Sequence, residues 1–349
     1  MAEPVVMMRQ LRAAMLERQL LLERSDVDLV EAVERIGGLQ TQYAPSGYIG
    51  LWSRLQHFQR PDLTQALEER RLVQGTLIRS TIHTVSAADY WPMTAGIRRM
   101  RRAWLLRTWG RELEGVDLEA MAEQVRHELL PGPLPMPQLT ERLVAQGYPK
   151  RAVPWMGHWV DLVRVPPSGT WERRRADLYG LAETWIPPQE TDEASGIELL
   201  VRRFLGAYGP APIADVAGWV GLPMRTVRPV IEAMDLRRLR DEQGRPLVDL
   251  REGRLPDPDV PCPVRLLAVW DPILLVRNRR SGILPDDLRP RFFDTRHPQS
   301  LNAVLVGGQV VGSWRATEGR IVLSLLRELR ASQRRELEAE VERLEAFHA

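Results

Sequence analysis

The sequence predicts an α+β fold in which small units of three helices and a β-hairpin follow one another, and a strand-rich segment closes the chain. Three observations carry this. Apolar residues recur at helical spacing in runs that stop at Gly or Pro, as in GIELLVRRFLGAYG before Pro210. Short alternating runs then flank turn residues, as in LRRLRDEQGRPLVDL around Glu242-Gln243-Gly244-Arg245. After about Pro256 the pattern changes to β-branched runs such as LNAVLVGGQVVGSW.

Four segments follow from these patterns. In 1–115, VVMMRQLRAAMLERQLLLER is a periodic helix, and Ser25 or Asp26 can cap the next one, VDLVEAVERIGG. After LQTQYAPS come GYIGLWSRLQHF and DLTQALEERR as helices, then LVQGTLIRSTIHTVS as a hairpin and a long arginine-studded helix ending in AWLLRTWG. Segment 116–195 repeats the order with MAEQVRHELL, PQLTERLVAQGY and AVPWMGHWVDLVRV. Its hairpin turns at PPSGTW and carries Arg173, Arg174 and Arg175. The clearest unit, 196–255, has helices over GIELLVRRFLGAYG, PIADVAGWVGL and PMRTVRPVIEAMDL before its hairpin; Pro229 sits awkwardly inside the third. Three helices followed by a hairpin is the order of a winged helix, a variant of the helix-turn-helix used on DNA. Segment 256–349 reads as a small β-rich domain, with VRLLAVWDPILLV and RIVLSLL as strands and ASQRRELEAEVERLEAF as a terminal helix.

Composition narrows the class. The net charge of +2 neither demands nor forbids nucleic acid, so local clusters matter more than the total. Lys150 is the only lysine among 48 basic residues. Arginine's planar fork suits phosphates and base edges, although a GC-rich genome would give the same bias. One cysteine, Cys262, excludes an internal disulfide and a multi-Cys zinc site. The six histidines show no HxxxH spacing, so neither a metal nor a cofactor is predicted. No apolar run is long enough to span a bilayer, and the N-terminus lacks a signal-peptide pattern. A cytoplasmic, nucleoid-associated monomer that wraps double-stranded DNA, with no membrane partner, is the expectation.

Several motifs, in their order and spacing, match a known family. They are RIGGLQTQYAPSGYIGLWSRL, LIRSTIHTVSAADY, SGTWERRR, FLGAYGPAPIADVAGWVGL, VRLLAVWDPILL and VLVGGQVVGSW. Together they resemble the AlkZ-type family of winged-helix DNA glycosylases over nearly the whole chain. The resemblance implies tandem winged-helix units followed by a small β-barrel-like C-terminal domain. It also implies removal of alkylated bases, including bulky adducts and, in some members, interstrand crosslinks. The family's catalytic signature is Gln-x-Gln or Gln-x-Asp, usually with an apolar residue at x. Here it falls on Gln40-Thr41-Gln42, and Thr41 departs from the apolar preference.

Two glutamines restrict the chemistry. An amide is no general acid or base near neutral pH, so the leaving group must need little protonation. A purine alkylated at N7 fits, because it carries a positive charge and departs neutral. The enzyme then has to place a water and tolerate an oxocarbenium-like sugar. A carboxamide oxygen can accept from that water and turn a negative dipole end toward positive charge. Gln40 and Gln42 share a side only if the chain is extended there, which predicts that the helix has ended near Gly37-Gly38. Lysine-based Schiff chemistry has one candidate, Lys150, so a monofunctional enzyme is expected.

Other residues carry weaker signals. Alternation puts Arg79, Thr81 and His83 on one strand face, suited to phosphate contact or to solvent. Arg173, Arg174 and Arg175 on a wing, and Arg277, Arg279 and Arg280 in a basic loop, are candidate DNA contacts. Arg98, Arg99, Arg101 and Arg102 wrap around their helix and read as solvated. His158 and Trp52 read as core, and Asp271 before Pro272 as a turn cap. The competing functions are a non-catalytic winged-helix regulator and a protein-interaction scaffold.

Overall fold

The computed structural model describes residues 3–276, 280–293 and 301–349. Strand β1 (Val5–Val6) and helix α1 (Met8–Arg18) lead into the first set of helices. Helix α2 (Leu29–Arg35) opens at Asp28, not Ser25 or Asp26. The Asp28 carboxylate accepts from Val30 N at 2.8 Å and satisfies a donor of the first turn. After α2 come Gly37 and Gly38, with left-handed φ of 76° and 83° that side chains rarely adopt. At Gly38 a β-carbon would also lie 3.0 Å from Val85 Cγ1. The pair turns the chain directly into strand β2 (Leu39–Gln40). Helices α3 (Ala44–Trp52) and α4 (Arg60–Glu68) follow, then strands β3 (Leu72–Thr76) and β4 (Ile82–Ser86).

Helix α5 (Ala87–Trp109) crosses to the second set, α6 (Leu118–Leu129), strand β5 (Leu134–Pro135), α7 (Met136–Ala145) and strands β6 (Leu162–Arg164) and β7 (Leu178–Leu181). Where the sequence predicts a third helix here, Val153–His158 forms a 3-10 turn. After the short α8 (Ala182–Trp185) come α9 (Glu193–Tyr208), α10 (Ile213–Val220), α11 (Met224–Ala233) and the hairpin of β8 (Leu236–Asp241) and β9 (Pro246–Leu250). Strand β1 pairs with β8 in parallel, so the N-terminus is stitched to this third set. Helices α5 and α9 cross at Gly96 and Gly196. A β-carbon on Gly96 would lie 2.7 Å from the Gly196 carbonyl carbon, so the two backbones touch only because both positions lack one.

The first two sets share one antiparallel sheet, in the order β2-β4-β3-β6-β7-β5. It reads as two hairpins joined edge to edge at β3 and β6, each flanked outside by a two-residue strand. Cross-strand partners share a face. One row runs Gln40, His83, Gly75, Val163 and Gly180; the next runs Leu39, Thr84, Gln74, Arg164 and Tyr179. The first face carries Val73, Val85 and Val163 into a core shared with α5, α9 and α10.

The last region holds β10 (Arg265–Leu267), α12 (Pro272–Leu275), α13 (Arg280–Ile283), α14 (Arg289–Phe292), β11 (Asn302–Val306), β12 (Gln309–Thr317), β13 (Arg320–Leu325) and α15 (Ala331–His348). Two expectations change here. VRLLAVWDPILLV is a strand only over Arg265–Leu267, because Asp271 caps a helical turn that begins at Pro272. The sheet β10-β11-β12-β13 is open, and no closed barrel is found among the described residues. Its apolar face is covered instead by α15 and α3, through Leu337, Leu344, Phe347, Tyr48 and Trp52. Trp52 is buried there as expected, 6.0 Å from Phe347.

Arg98, Arg99, Arg101 and Arg102 of α5 all meet protein groups, although Arg99 is solvent-exposed as read. Arg98 and Arg101 share Asp161, Arg99 pairs with Glu193, and Arg102 lies over Trp159. Arg101 is buried and also donates to Thr76 O and His158 O, which fastens the second set to the first hairpin.

Candidate active site and nucleic-acid interface

Because the helix has ended by Gly38, Gln40 is extended and Thr41 continues the ladder through Thr41 N to Ile82 O at 2.9 Å. Both carboxamides meet the tip of the β3–β4 hairpin. Gln40 Oε1 accepts from Arg79 Nη2 at 3.4 Å, and Gln42 Oε1 accepts from Ile82 N at 3.2 Å. Guanidinium and amide N–H groups only donate, so both side-chain orientations are fixed with oxygen toward the tip. Each oxygen keeps a second lone pair. Gln40 is nearly buried, whereas Gln42 and Tyr43 are exposed.

Arg79 is not on a strand face. It and Ser80 occupy the hairpin loop with left-handed φ of 53° and 58°, and Arg79 Nη1 donates to Trp219 O at 3.2 Å. This bond ties the tip to the end of α10. Gly221 ends α10 with a left-handed φ of 80°, which favours glycine there, and packs beside Arg79. A cavity of about 210 Å³ opens beside it, lined by Arg79, Ser80, Trp104, Arg107 and Gly221.

His83 is buried, with 4% of its surface exposed, opposite Gln40. Its Nδ1 lies 3.0 Å from Thr81 O, which can only accept, so Nδ1 carries the hydrogen. Burial, and the Arg79 charge after it, pull the ring down to about 3, so it is neutral at pH 7. His158 is pulled to about 4 by burial and Arg101, stacked on Trp104 at 5.4 Å. Both rings stay neutral in the fold but take protons near the ordinary value once unfolded. Stability is therefore full above pH 6.5 and falls as pH drops toward 3. At pH 5 His83 alone is expected to cost about 2 kcal/mol. Urea titrations at pH 8 and pH 5 should show this difference in the wild type and lose that share in His83→Gln. Equal pH dependence in both proteins would contradict it.

The other sheet face supports the motif from below. Thr41 Oγ1 and Thr84 Oγ1 are 3.0 Å apart, and Gln74 Nε2 reaches Gly169 O at 3.4 Å. Arg164, from the second set, donates through Nη1 to Thr41 O at 3.0 Å and through Nε to Tyr179 OH at 3.4 Å. Nothing in the local pattern singles out Arg164 or Tyr43. Arg164 becomes visible only once the register opposite Gln74 is known.

The loop between β6 and β7 folds back onto this region. Trp171 is buried against Tyr48 and Phe347, and Arg173, Arg174 and Arg175 project outward. Arg174 stacks over Trp171 and its Nη1 lies 3.5 Å from Tyr43 OH, beside the motif. Arg173 and Arg175 both face Asp177. Of the predicted basic loop, Arg277 and Arg279 lie outside the described residues, and only the backbone of Arg280 is described. Among the described residues no group of three or more His, Cys, Asp or Glu could hold a metal, and no helix is long and apolar enough to cross a membrane.

Comparison with known proteins decides the family. The family model for DNA glycosylase AlkZ-like proteins matches residues 33–347. The chain belongs to the AlkZ-like family of DNA glycosylases. A curated relative, the interstrand DNA cross-link repair glycosylase of Streptomyces sahachiroi, is 24% identical over 348 residues, covering 90% of each chain. The solved structure of the Streptomyces sahachiroi DNA glycosylase AlkZ superposes with a TM-score of 0.83 at 20% identity, covering 98% of this chain and 97% of that one. This AlkZ-like protein is thus an enzyme that hydrolyses N-glycosyl bonds, which answers the choice between catalyst, regulator and scaffold.

Proposed function

We propose that this AlkZ-like glycosylase is monofunctional and excises N7-alkylpurines from double-stranded DNA, bulky or crosslinked ones included, by water attack at the sugar C1′. The observation that carries the reading is the convergence of the Gln40 and Gln42 oxygens on one hairpin tip. There a water can be held between acceptors while an oxocarbenium-like sugar meets the negative ends of two dipoles. The N-glycosyl bond breaks with its electron pair passing into the cationic purine ring, so no acid is needed. The sole lysine, Lys150, lines a cavity with Met136, Thr140 and Arg175, and among the described residues the glutamine oxygens accept from Arg79 and Ile82 N rather than from an amine. This favours hydrolysis without a lyase step.

The three helix-and-hairpin sets act as winged-helix units along the duplex. Arg79, Arg173, Arg174 and Arg175 contact phosphates near the lesion, Arg277, Arg279 and Arg280 extend that contact, and one molecule suffices. The extension to crosslinks follows the name of the Streptomyces relative. The test is base release from duplexes carrying N7-methylguanine or an N7-linked crosslink. Free base with abasic sites that break only on alkaline treatment is expected. Strand breaks without that treatment would refute the monofunctional reading, and no free base from either duplex would refute the substrate class.

A further inference from the structure

The proposed reaction leaves one proton without a destination. Water adding to C1′ gives a protonated hydroxyl, and neither carboxamide can take its proton. We propose that His83 is a catalytic residue of this enzyme, and that its Nε2 accepts the proton of the attacking water beside Gln40. The proposal rests on the glycosylase reading of Gln40.

Four observations place the ring for this role. His83 is the direct cross-strand partner of Gln40, so both side chains leave the sheet on the same face. Donation from Nδ1 to Thr81 O at 3.0 Å fixes the tautomer and leaves the lone pair on Nε2. On the other side of His83 in the same row stands Gly75, and the Tyr90 ring fills the place of its side chain. A β-carbon there would lie 2.6 Å from Tyr90 Cε2. Tyr90 thereby takes the position next to His83 on that side of the row, and Gln40 the position on the other. Finally, burial and Arg79 keep the imidazole neutral.

The electron count closes. The C1′–N bond breaks, its pair neutralises the purinium, and the base departs. A lone pair of water forms the C1′–O bond. As that bond forms, the water's proton passes to Nε2, and the imidazolium returns it to solvent. A ring with a pKa near 3 is too weak to ionise free water. It is still far more basic than the new hydroxyl, so the proton moves to it downhill as the C–O bond forms. His83 therefore takes the proton late in the transition state, as the C–O bond forms, and its effect lies at the low end of general-base contributions.

The test uses the full chain and a duplex with one N7-methylguanine under single-turnover conditions. His83→Ala is expected to slow excision about 100-fold. Its affinity for the same duplex bearing an abasic analogue should stay within about threefold, because the buried ring offers phosphates little surface. Added imidazole should restore at least part of the rate in proportion to its free-base concentration. If His83→Ala does not fold, His83→Gln decides. It keeps a hydrogen-bonding side chain but cannot take a proton, and a loss of about tenfold or more at unchanged affinity is expected. A wild-type rate in either folded variant, or a rate loss matched by an equal loss of affinity, would overturn the proposal. Should the wild type itself release no base, the proposed function fails instead, so the two failures are distinguishable.

Discussion

Gln42→Ala is expected to lower single-turnover release of N7-methylguanine by about 100- to 1000-fold, the range for loss of one preorganised polar group at a reacting centre. DNA affinity should stay within a few-fold. The geometry makes this position the cleaner of the two glutamines to test. Gln42 is exposed and accepts one hydrogen bond, from Ile82 N, so truncation opens no cavity and leaves a donor that water can reach. Gln40 is nearly buried and holds Arg79, so its removal would also disturb the hairpin tip and the Arg79 bond to Trp219 O. Base release and a thermal melt on the same preparation check the prediction. Unchanged excision by a folded Gln42→Ala would remove Gln42 from the reaction.

Local pattern in the sequence made most of the helices legible, along with the position of the motif after Gly37-Gly38. Helical and strand periods are properties of neighbouring residues, and glycine punctuation is too. Pairing between distant strands is not. The alternation in LVQGTLIRSTIHTVS marks a hairpin but cannot say that β3 will pair with β6, nor that Gln74 will face Arg164. The support beneath Thr41 stayed invisible for that reason. Arg79 misled for a related one: alternation continues through it, while the chain turns left-handed there to close the hairpin. The helix of Arg98 to Arg102 reads as solvated because its acceptors, Asp161, His158 O and Thr76 O, come from elements far away in sequence. Asp271 was half legible. Its place before Pro272 marks a cap, but its buried partner lies 217 residues away.

That partner sets up the second large effect. Asp271→Ala is expected to destabilise the fold by about 3–5 kcal/mol. Arg54 and Asp271 are both fully buried and joined by two hydrogen bonds of 2.8 Å. Removing the carboxylate leaves a guanidinium in the core with Gly50 O and Gln19 Oε1 as its remaining acceptors among the described residues. Gln19 in turn donates to Ile36 O and Ala207 O, so the cluster links α3 to α1, α9 and the end of α2. Urea midpoints measure the loss. Pairing it with Arg54→Met should recover most of the stability, because a buried ion pair exchanged for apolar groups of similar volume is often neutral. The recovery separates an uncompensated charge from a mere cavity, which Arg54→Met would not repair. The end of α2 is also where Gly37-Gly38 turn the chain toward Gln40. A folded Asp271→Ala should therefore excise more slowly than wild type, and the double variant should regain the rate along with the stability.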